Sequence, residues 1–323
     1  MFSLTATTFA APIGWADGHV TGTGYWTAGN AVKLTEDVTK ATNGALKVTV
    51  FPGSTLSTGA DAMNNVTANV MQMAGVWGSH VAGQEQIMEL FDLPMFVPWD
   101  FEFRTKLWDA MYPDFAEMLH KKHGIWLMTM LQVEPRMIYT KRPIKSLDEL
   151  KGVKIRSMGP VETSFTRALG ATPVPVEAAE IYTALQQGLV DGNWFPDSAQ
   201  YAFKFHEVTR YIFDLNNAGA GYFVMVSEKA LDGLPANVRQ EFMGLRDLHS
   251  KRLRESSLDG TKKGRSLLEG TGMKANVVPA ADRKRIMSMS SPIVEEWAAR
   301  LPADTRPIYL KAKRLVDEYN ASH

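Results

Sequence analysis

The chain has 323 residues, 45% of them hydrophobic, and balances 35 lysines and arginines against 35 aspartates and glutamates. This neutral balance lacks the basic footprint of a nucleic-acid-binding protein, and no run of about 18 apolar residues is present to cross a membrane. The absence of cysteine excludes disulfides, thiol catalysis and cysteine-ligated zinc. The length favours two lobes over a single core.

The first predicted element is a strand over residues 3–11. A glycine-rich loop follows, and a helix is predicted from about Gly29 to Thr42, with Gly44 ending it. Leu46 to Phe51 alternates as a strand, and Pro52-Gly53 turns the chain. These elements predict the start of an α/β lobe.

A weak internal echo links the two halves of the chain. Residues 61–73 and 180–192 each begin with an acid at a predicted helix start, which favours the positive end of the helix dipole. Each segment leads into an apolar strand and a tryptophan, Trp77 in one case and Trp194 in the other. One such helix–strand unit in each half is what two facing α/β lobes require.

Two strand-like stretches are predicted to cross between the lobes. Met128 to Val133 is the first, and Phe213 to Val226 is the return crossing. The predicted domains are therefore residues 1–130 plus 217–256 for lobe I, and residues 131–216 plus 257–323 for lobe II. Amphipathic helices over residues 283–318 are expected on the outside.

The segment from Leu150 to Phe195 carries the most specific pattern. It contains L-K-G-V-K-I-R, then G-A-T-P, then E-I-Y-T-A-L-Q-Q-G-L-V-D-G. A strand is predicted to deliver Arg156 to its end, and a strand of Pro-Val-Pro-Val type and a second helix follow. The segment resembles the solute-binding proteins of TRAP transporters, the DctP family.

The resemblance implies a two-lobed α/β fold of the periplasmic-binding-protein type, with a ligand cleft between the lobes. It also implies a receptor for a small organic acid that docks on the membrane subunits of a TRAP transporter. Met1-Phe2-Ser3-Leu4 lacks a basic start and a long apolar stretch, so no signal peptide is visible. We therefore expect a mature periplasmic protein whose leader has been removed, with no cofactor, no metal and no insertion into the membrane.

Two arginines are the main candidate ligand-binding residues. Arg156 precedes a non-helical turn, and its planar fork can pair both oxygens of a carboxylate. The resemblance implies this role, whereas a surface ion pair is the alternative. Arg136 lies before the Lys141-Arg142-Pro143-Ile144 turn, where the family carries a second arginine that faces the ligand.

The chain departs from the family where D-G-Q-E-N-P is usual. Here Asp191-Gly192-Asn193 is followed by Trp194-Phe195-Pro196, so Phe195 replaces the asparagine that hydrogen-bonds the ligand. Successive strand residues point to opposite faces, so one of Trp194 and Phe195 is expected in the core, and Phe195 is the better candidate for the pocket. An arginine beside aromatic rings suits an apolar or aromatic monocarboxylate.

Three further residues are candidates for ligand contact. Trp77 follows an apolar strand at a loop that lines the cleft in the family. His80 lies three residues later, although a histidine there can instead cap a helix or hydrogen-bond to neighbouring residues. Tyr222 follows Gly219-Ala220-Gly221 near the return crossing.

Other functions and other ligands stay open at this point. No G-x-S-x-G elbow and no H-E-x-x-H motif is present, so the chain is not expected to be an enzyme. A cleft enzyme acting on an organic acid and a ligand-sensing domain are the alternatives. Dicarboxylates, sugar acids, sulfonates and a zwitterionic osmolyte are the alternative ligands.

Overall fold

The structure, a computed structural model, describes residues 11–22, 24–217 and 219–323. The strand predicted over residues 3–11 lies outside the described residues except for its last position. In chain order the strands are β1 (Ile13–His19), β2 (Leu46–Phe51), β3 (Met73–Trp77), β4 (Ile125–Gln132), β5 (Arg136–Thr140), β6 (Lys154–Ser157), β7 (Thr172–Pro175), β8 (Gly192–Pro196), β9 (Tyr211–Asn217), β10 (Gly221–Ser227) and β11 (Lys274–Val277).

Helices cover both sheets. They are α1 (Trp26–Ala41), α2 (Ala62–Thr67), α3 (Gly78–Val81), α4 (Phe101–His123), α5 (Gly159–Ala168), α6 (Ile181–Gln187), α7 (Asp197–Ala202), α8 (Glu228–Asp232), α9 (Ala236–Gly244), α10 (Arg246–Gly270), α11 (Ala280–Ala299) and α12 (Arg306–Ser322). Short 3-10 segments lie at Gln86–Asp92, Leu147–Leu150, Ala178–Glu180 and Phe205–Glu207.

The strands form two mixed sheets, one in each lobe. The sheet of lobe I has the order β2-β1-β3-β10-β4, and the sheet of lobe II has the order β11-β9-β5-β8-β6-β7. In lobe I, β1 is parallel to β2 and β3, whereas β10 runs antiparallel to β3 and β4. Separate buried apolar clusters lie in the two lobes. The predicted two-lobed α/β fold is confirmed.

The chain crosses between the sheets at the two places that the sequence indicates. β4 ends in lobe I at Gln132 and β5 begins in lobe II at Arg136, while β9 and β10 make the return. The two crossings pass very close to each other, since a Cβ on Gly219 would lie 1.9 Å from the carbonyl oxygen of Val133. Only glycine allows the backbones to approach so closely.

The long helix α10 crosses between the lobes as well. Within α10, Leu253 joins the core of lobe I, whereas Leu268 packs beneath the sheet of lobe II. The helix α12 buries Ile308, Ala312 and Val316 in the core of lobe I. The predicted boundary that assigned residues 257–323 to lobe II therefore needs correction for α12, because its apolar face packs against α4.

The internal echo corresponds to equivalent elements. Helix α2 leads into β3 of lobe I, and α6 leads into β8 of lobe II. Val70 and Leu189 match in position, but they are 73% and 55% exposed. Each follows a left-handed residue, Asn69 or Gly188, just after its helix ends, so neither extends the buried helix face.

Candidate functional site

A cavity of about 640 Å³ lies between the lobes. Most of the side chains around it are apolar or aromatic. The charged ones, which are Arg136, Arg156, Glu162 and Glu177, lie in lobe II. Lobe I contributes Val20, Thr21, Tyr25, Ser54, Thr58, Trp77 and His80. Lobe II contributes Arg136, Arg156, Met158, Glu162, Glu177, Tyr182, Trp194, Phe195, Phe203 and Phe205.

Arg156 offers an unpaired guanidinium to this cavity. It lies on β6, between β7 and β8, and is only 4% exposed. Its Nε donates to the carbonyl oxygen of Val176 at 3.0 Å, and no carboxylate of the described residues forms an ion pair with it. Burial lowers the pKa of Arg156, which means that the cation lacks full compensation in the protein. Its terminal N–H groups can therefore bind an anion.

Arg136 also borders the cavity, but its charge is already compensated. Its Nη1 donates to Oε2 of Glu162 at 2.5 Å, and its Nη2 lies 3.6 Å from Oδ1 of Asp92. All three side chains are buried. Arg136 lies at the cavity as the resemblance implies, yet a ligand carboxylate would have to compete with two carboxylates of the protein for it.

Glu162 is a cavity residue that the sequence interpretation missed. It lies in the first turns of α5, and its Oε1 accepts the backbone N–H of Met158 at 2.6 Å. Burial raises the pKa of Glu162, while Arg136 and Arg156 act to lower it. Glu162 lies four residues after the N-cap Met158, one position beyond the acid of a capping box, so the usual sequence signal does not identify it.

Two more buried carboxylates lie behind Arg136 on the 3-10 segment of lobe I. Asp92 accepts the backbone N–H of Gly221 at 3.1 Å, and burial raises its pKa to about 7. Glu89 accepts the N–H of Val161 in α5 at 3.1 Å, and burial raises its pKa to about 8. The bond from Val161 to Glu89 joins the two lobes directly.

The two aromatic residues of β8 point to opposite sides of the strand. Phe195 is half-buried at the cavity, meets Phe205 edge-on at 5.2 Å, and lies 5.8 Å from the guanidinium carbon of Arg156. Trp194 borders the cavity but is 1% exposed, and its Nε1 donates to Oγ1 of Thr166 at 2.8 Å. Strand alternation therefore places the Phe195 ring at the cavity and the Trp194 indole in the core.

The wall of lobe I contains Trp77 and His80, as expected, but not Tyr222. Trp77 ends β3 at the cavity, and its ring centroid lies 4.9 Å from that of Tyr222. Tyr222 is fully buried behind Trp77, where its hydroxyl pairs with Nδ1 of His19 at 3.0 Å. The predicted ligand contact of Tyr222 is therefore corrected, because this residue supports the wall without forming it.

His80 lies at the cavity as a neutral imidazole at neutral pH. Burial lowers its pKa to about 4, and the positive charge of Arg156 acts in the same direction. Its Nδ1 is buried and has no hydrogen-bond partner among the residues that the structure describes. A polar ligand atom could satisfy it.

Glu134, between the two lobes, is a second residue that the sequence interpretation missed. Its Oε2 accepts from the Tyr25 hydroxyl at 3.0 Å, and its Oε1 accepts from Nε1 of Trp26 at 3.2 Å and from Oγ of Ser198 at 2.5 Å. Tyr25 and Trp26 start α1 in lobe I, whereas Ser198 lies in α7. The carboxylate thus ties both lobes together beside the cavity.

The sequence profile of DctP, described as bacterial extracellular solute-binding protein, family 7, matches residues 18–301. The chain belongs to this family. It is 27% identical to the C4-dicarboxylate-binding periplasmic protein DctP of Rhodobacter capsulatus over 309 residues, which are 94% of this chain and 92% of that protein. It is also 27% identical to the 2,3-diketo-L-gulonate-binding periplasmic protein YiaO of Escherichia coli, of which the match covers 64%.

Solved structures of the same family have the same fold. The Bordetella pertussis receptor DctP7, which binds pyroglutamic acid, superposes with a TM-score of 0.87 at 25% identity, covering 94% of this chain and 99% of that one. DctPAm of Advenella mimigardefordensis, in complex with galactonate, gives 0.86 at 23% identity over 94% and 98%. The family is one of solute-binding receptors and not of enzymes, and its members are periplasmic. In the described part of the chain, no helix has the length and apolar character to span a membrane.

Proposed function

We propose that the protein is an extracytoplasmic receptor that binds a small monocarboxylate with an apolar or aromatic body. The carboxylate pairs with the fork of Arg156, and the lobes close around the ligand. The observation that carries this proposal is a buried guanidinium without a carboxylate partner in an aromatic cavity. A planar fork of this kind pairs both oxygens of a carboxylate.

The charges around the cavity favour one ligand carboxylate over two. Among the described lining residues, the basic side chains are those of Arg136 and Arg156, and Arg136 already forms an ion pair with Glu162. Glu177 adds a negative charge at the exposed rim. A second carboxylate on the ligand would therefore lose its hydration without gaining an uncompensated cation.

The lining favours an apolar ligand body. Phe195 stands where the family usually carries a hydrogen-bonding asparagine, and Phe203, Phe205 and Trp77 extend the same aromatic surface. Aromatic rings bury area and stack well, but they leave a buried hydroxyl without a partner, at a cost of about 1–3 kcal/mol.

The relatives support a receptor for small acids in the periplasm. Three of those named above bind C4-dicarboxylate, 2,3-diketo-L-gulonate and pyroglutamic acid. By analogy with the TRAP receptors, the closed form of this protein would then deliver its ligand to the membrane subunits of a transporter.

A thermal-shift screen of organic acids tests the proposal. Benzoate, phenylacetate, succinate and galactonate are compared at equal concentration, since a ligand at 100 times its Kd stabilises by about 2.7 kcal/mol. Phenylacetate or benzoate should give the largest shift. A larger shift with succinate or galactonate would contradict the apolar body, and no shift with any organic acid would contradict the receptor itself.

A further inference from the structure

Two opposite charges face the cavity without touching each other. Arg156 and Glu162 both line it, yet no ion pair joins them. Each charge feels the other, because Glu162 acts to raise the pKa of Arg156 against the effect of burial. The ligand carboxylate bound by Arg156 would thus lie close to a carboxylate of the protein.

Glu162 is held rigidly in this place. One of its oxygens accepts from Arg136 at 2.5 Å and the other accepts from the N–H of Met158 at 2.6 Å. Arg136 is in turn flanked by Asp92. A carboxylate oxygen accepts two hydrogen bonds, so each Glu162 oxygen retains one acceptor position. The side chain cannot rotate away from an anion without losing both bonds.

A ligand carboxylate beside Glu162 is repelled unless the ligand also directs an N–H or O–H hydrogen at a Glu162 oxygen. Like charges in a site of low dielectric repel strongly, whereas a ligand N–H or O–H directed at a carboxylate forms a charge-assisted hydrogen bond. The hydrogen would have to come from a group near the ligand carboxylate, and the carbon next to the carboxylate is the nearest position that can carry one. A substituent at this position leaves the rest of the ligand free to pack on the aromatic wall.

We propose that Glu162 is a specificity-determining residue that selects carboxylates carrying a hydrogen-bond donor on the carbon next to the carboxylate. This inference rests on the proposed function, because it requires the ligand carboxylate at Arg156. The ligand class thereby narrows from apolar monocarboxylates to 2-hydroxy and 2-amido acids with an apolar body. A purely structural Glu162, which only holds Arg136 and the start of α5, is the competing explanation.

Pairs of acids that differ by one donor separate the two explanations. Mandelate is compared with phenylacetate, and 3-phenyllactate with 3-phenylpropanoate, by calorimetric titration of the wild type. Each hydroxy acid, in its better enantiomer, should bind at least about tenfold tighter, which corresponds to about 1.4 kcal/mol. Binding of both members within threefold overturns the proposal without any variant being needed.

Glu162→Gln then tests the residue itself, with Glu269→Gln as the matched control, because Glu269 is exposed on α10 outside the cavity lining. The substituted amide keeps the size of the side chain but removes its charge, so the preference for the hydroxy acid should fall below about threefold, while phenylacetate binds as well as before or better. The control should retain the full preference. Equal weakening of both members in Glu162→Gln would indicate a structural role and overturn the proposal. If none of the four acids binds, the proposed function fails together with this inference.

Discussion

Removal of the Arg156 guanidinium is the most direct test of the site. In Arg156→Ala the ligand carboxylate would enter a buried cavity in which the remaining lining guanidinium, that of Arg136, is paired with Glu162. Truncating one partner of a buried, hydrogen-bonded charge pair costs about 2–5 kcal/mol. A loss of about 3 kcal/mol or more corresponds to a weakening of ~100-fold or greater.

The unliganded protein should respond differently from the complex. Because burial lowers the pKa of Arg156, the cation is itself costly to bury when no anion accompanies it. The alanine variant loses one hydrogen bond to Val176, worth about 0.5–1.5 kcal/mol, and is relieved of this buried charge. We therefore expect its free energy of unfolding without ligand to change little, whereas stabilisation by ligand disappears.

Calorimetric titration with the best acid of the thermal-shift screen measures the effect. Arg156→Lys should recover only part of the affinity, since an ammonium lacks the planar fork. Arg167→Ala is the control, because Arg167 lies exposed on α5. Binding by Arg156→Ala within a few-fold of wild type would refute the carboxylate assignment.

Three further predictions concern the wall, the hinge and the buried acids. Phe195→Asn should weaken apolar acids, by about 0.5–1.5 kcal/mol for lost stacking, and favour polar ones in competition titrations; an unchanged ligand order would count against the aromatic wall. Small-angle scattering should show a smaller radius of gyration at saturating ligand, and identical profiles would argue against lobe closure. Burial raises the pKa of Asp92 in the folded protein to about 7. The contribution of this shift to the free energy of unfolding is therefore complete below about pH 4 and is lost as the pH rises through 7. Asp92→Asn should therefore gain stability over wild type in urea unfolding at pH 8 but not at pH 4, and a gain independent of pH would contradict the assigned shift.

Local sequence patterns were sufficient for the elements that carry Arg156, the residue proposed to bind the ligand carboxylate. The run Gly152–Ile155 predicts a strand that ends near Arg156, and β6 lies there. The alternation of strand residues predicts that only one of Trp194 and Phe195 faces the pocket, and their hydrogen bonds and ring contacts agree. The crossings between the lobes followed from two apolar strands in the expected positions.

Contacts between distant segments could not be predicted in this way. The ion-pair partners of Arg136 are Asp92 and Glu162, which belong to different elements. Nothing in the local sequence of either residue indicates an ion pair. Tyr222 follows a glycine-rich turn near the return crossing, but β10 is buried on both faces and directs the ring into the core. The position of α12 depends in the same way on tertiary packing, because its amphipathic face fits either lobe by pattern alone.

The electrostatics of Arg156 connect binding to closure. The cavity walls come from both lobes, so opening them would return the guanidinium to water, and closing them buries it. Without an anion the closed form bears the desolvation cost that lowers the pKa of this residue. In the proposed function, a bound carboxylate would compensate the charge and reduce that cost, so the anion would shift the equilibrium toward closure by its differential affinity for the closed form. An uncharged amide of the same acid fits the aromatic wall equally well but leaves Arg156 uncompensated, and it should therefore bind weakly and fail to close the lobes.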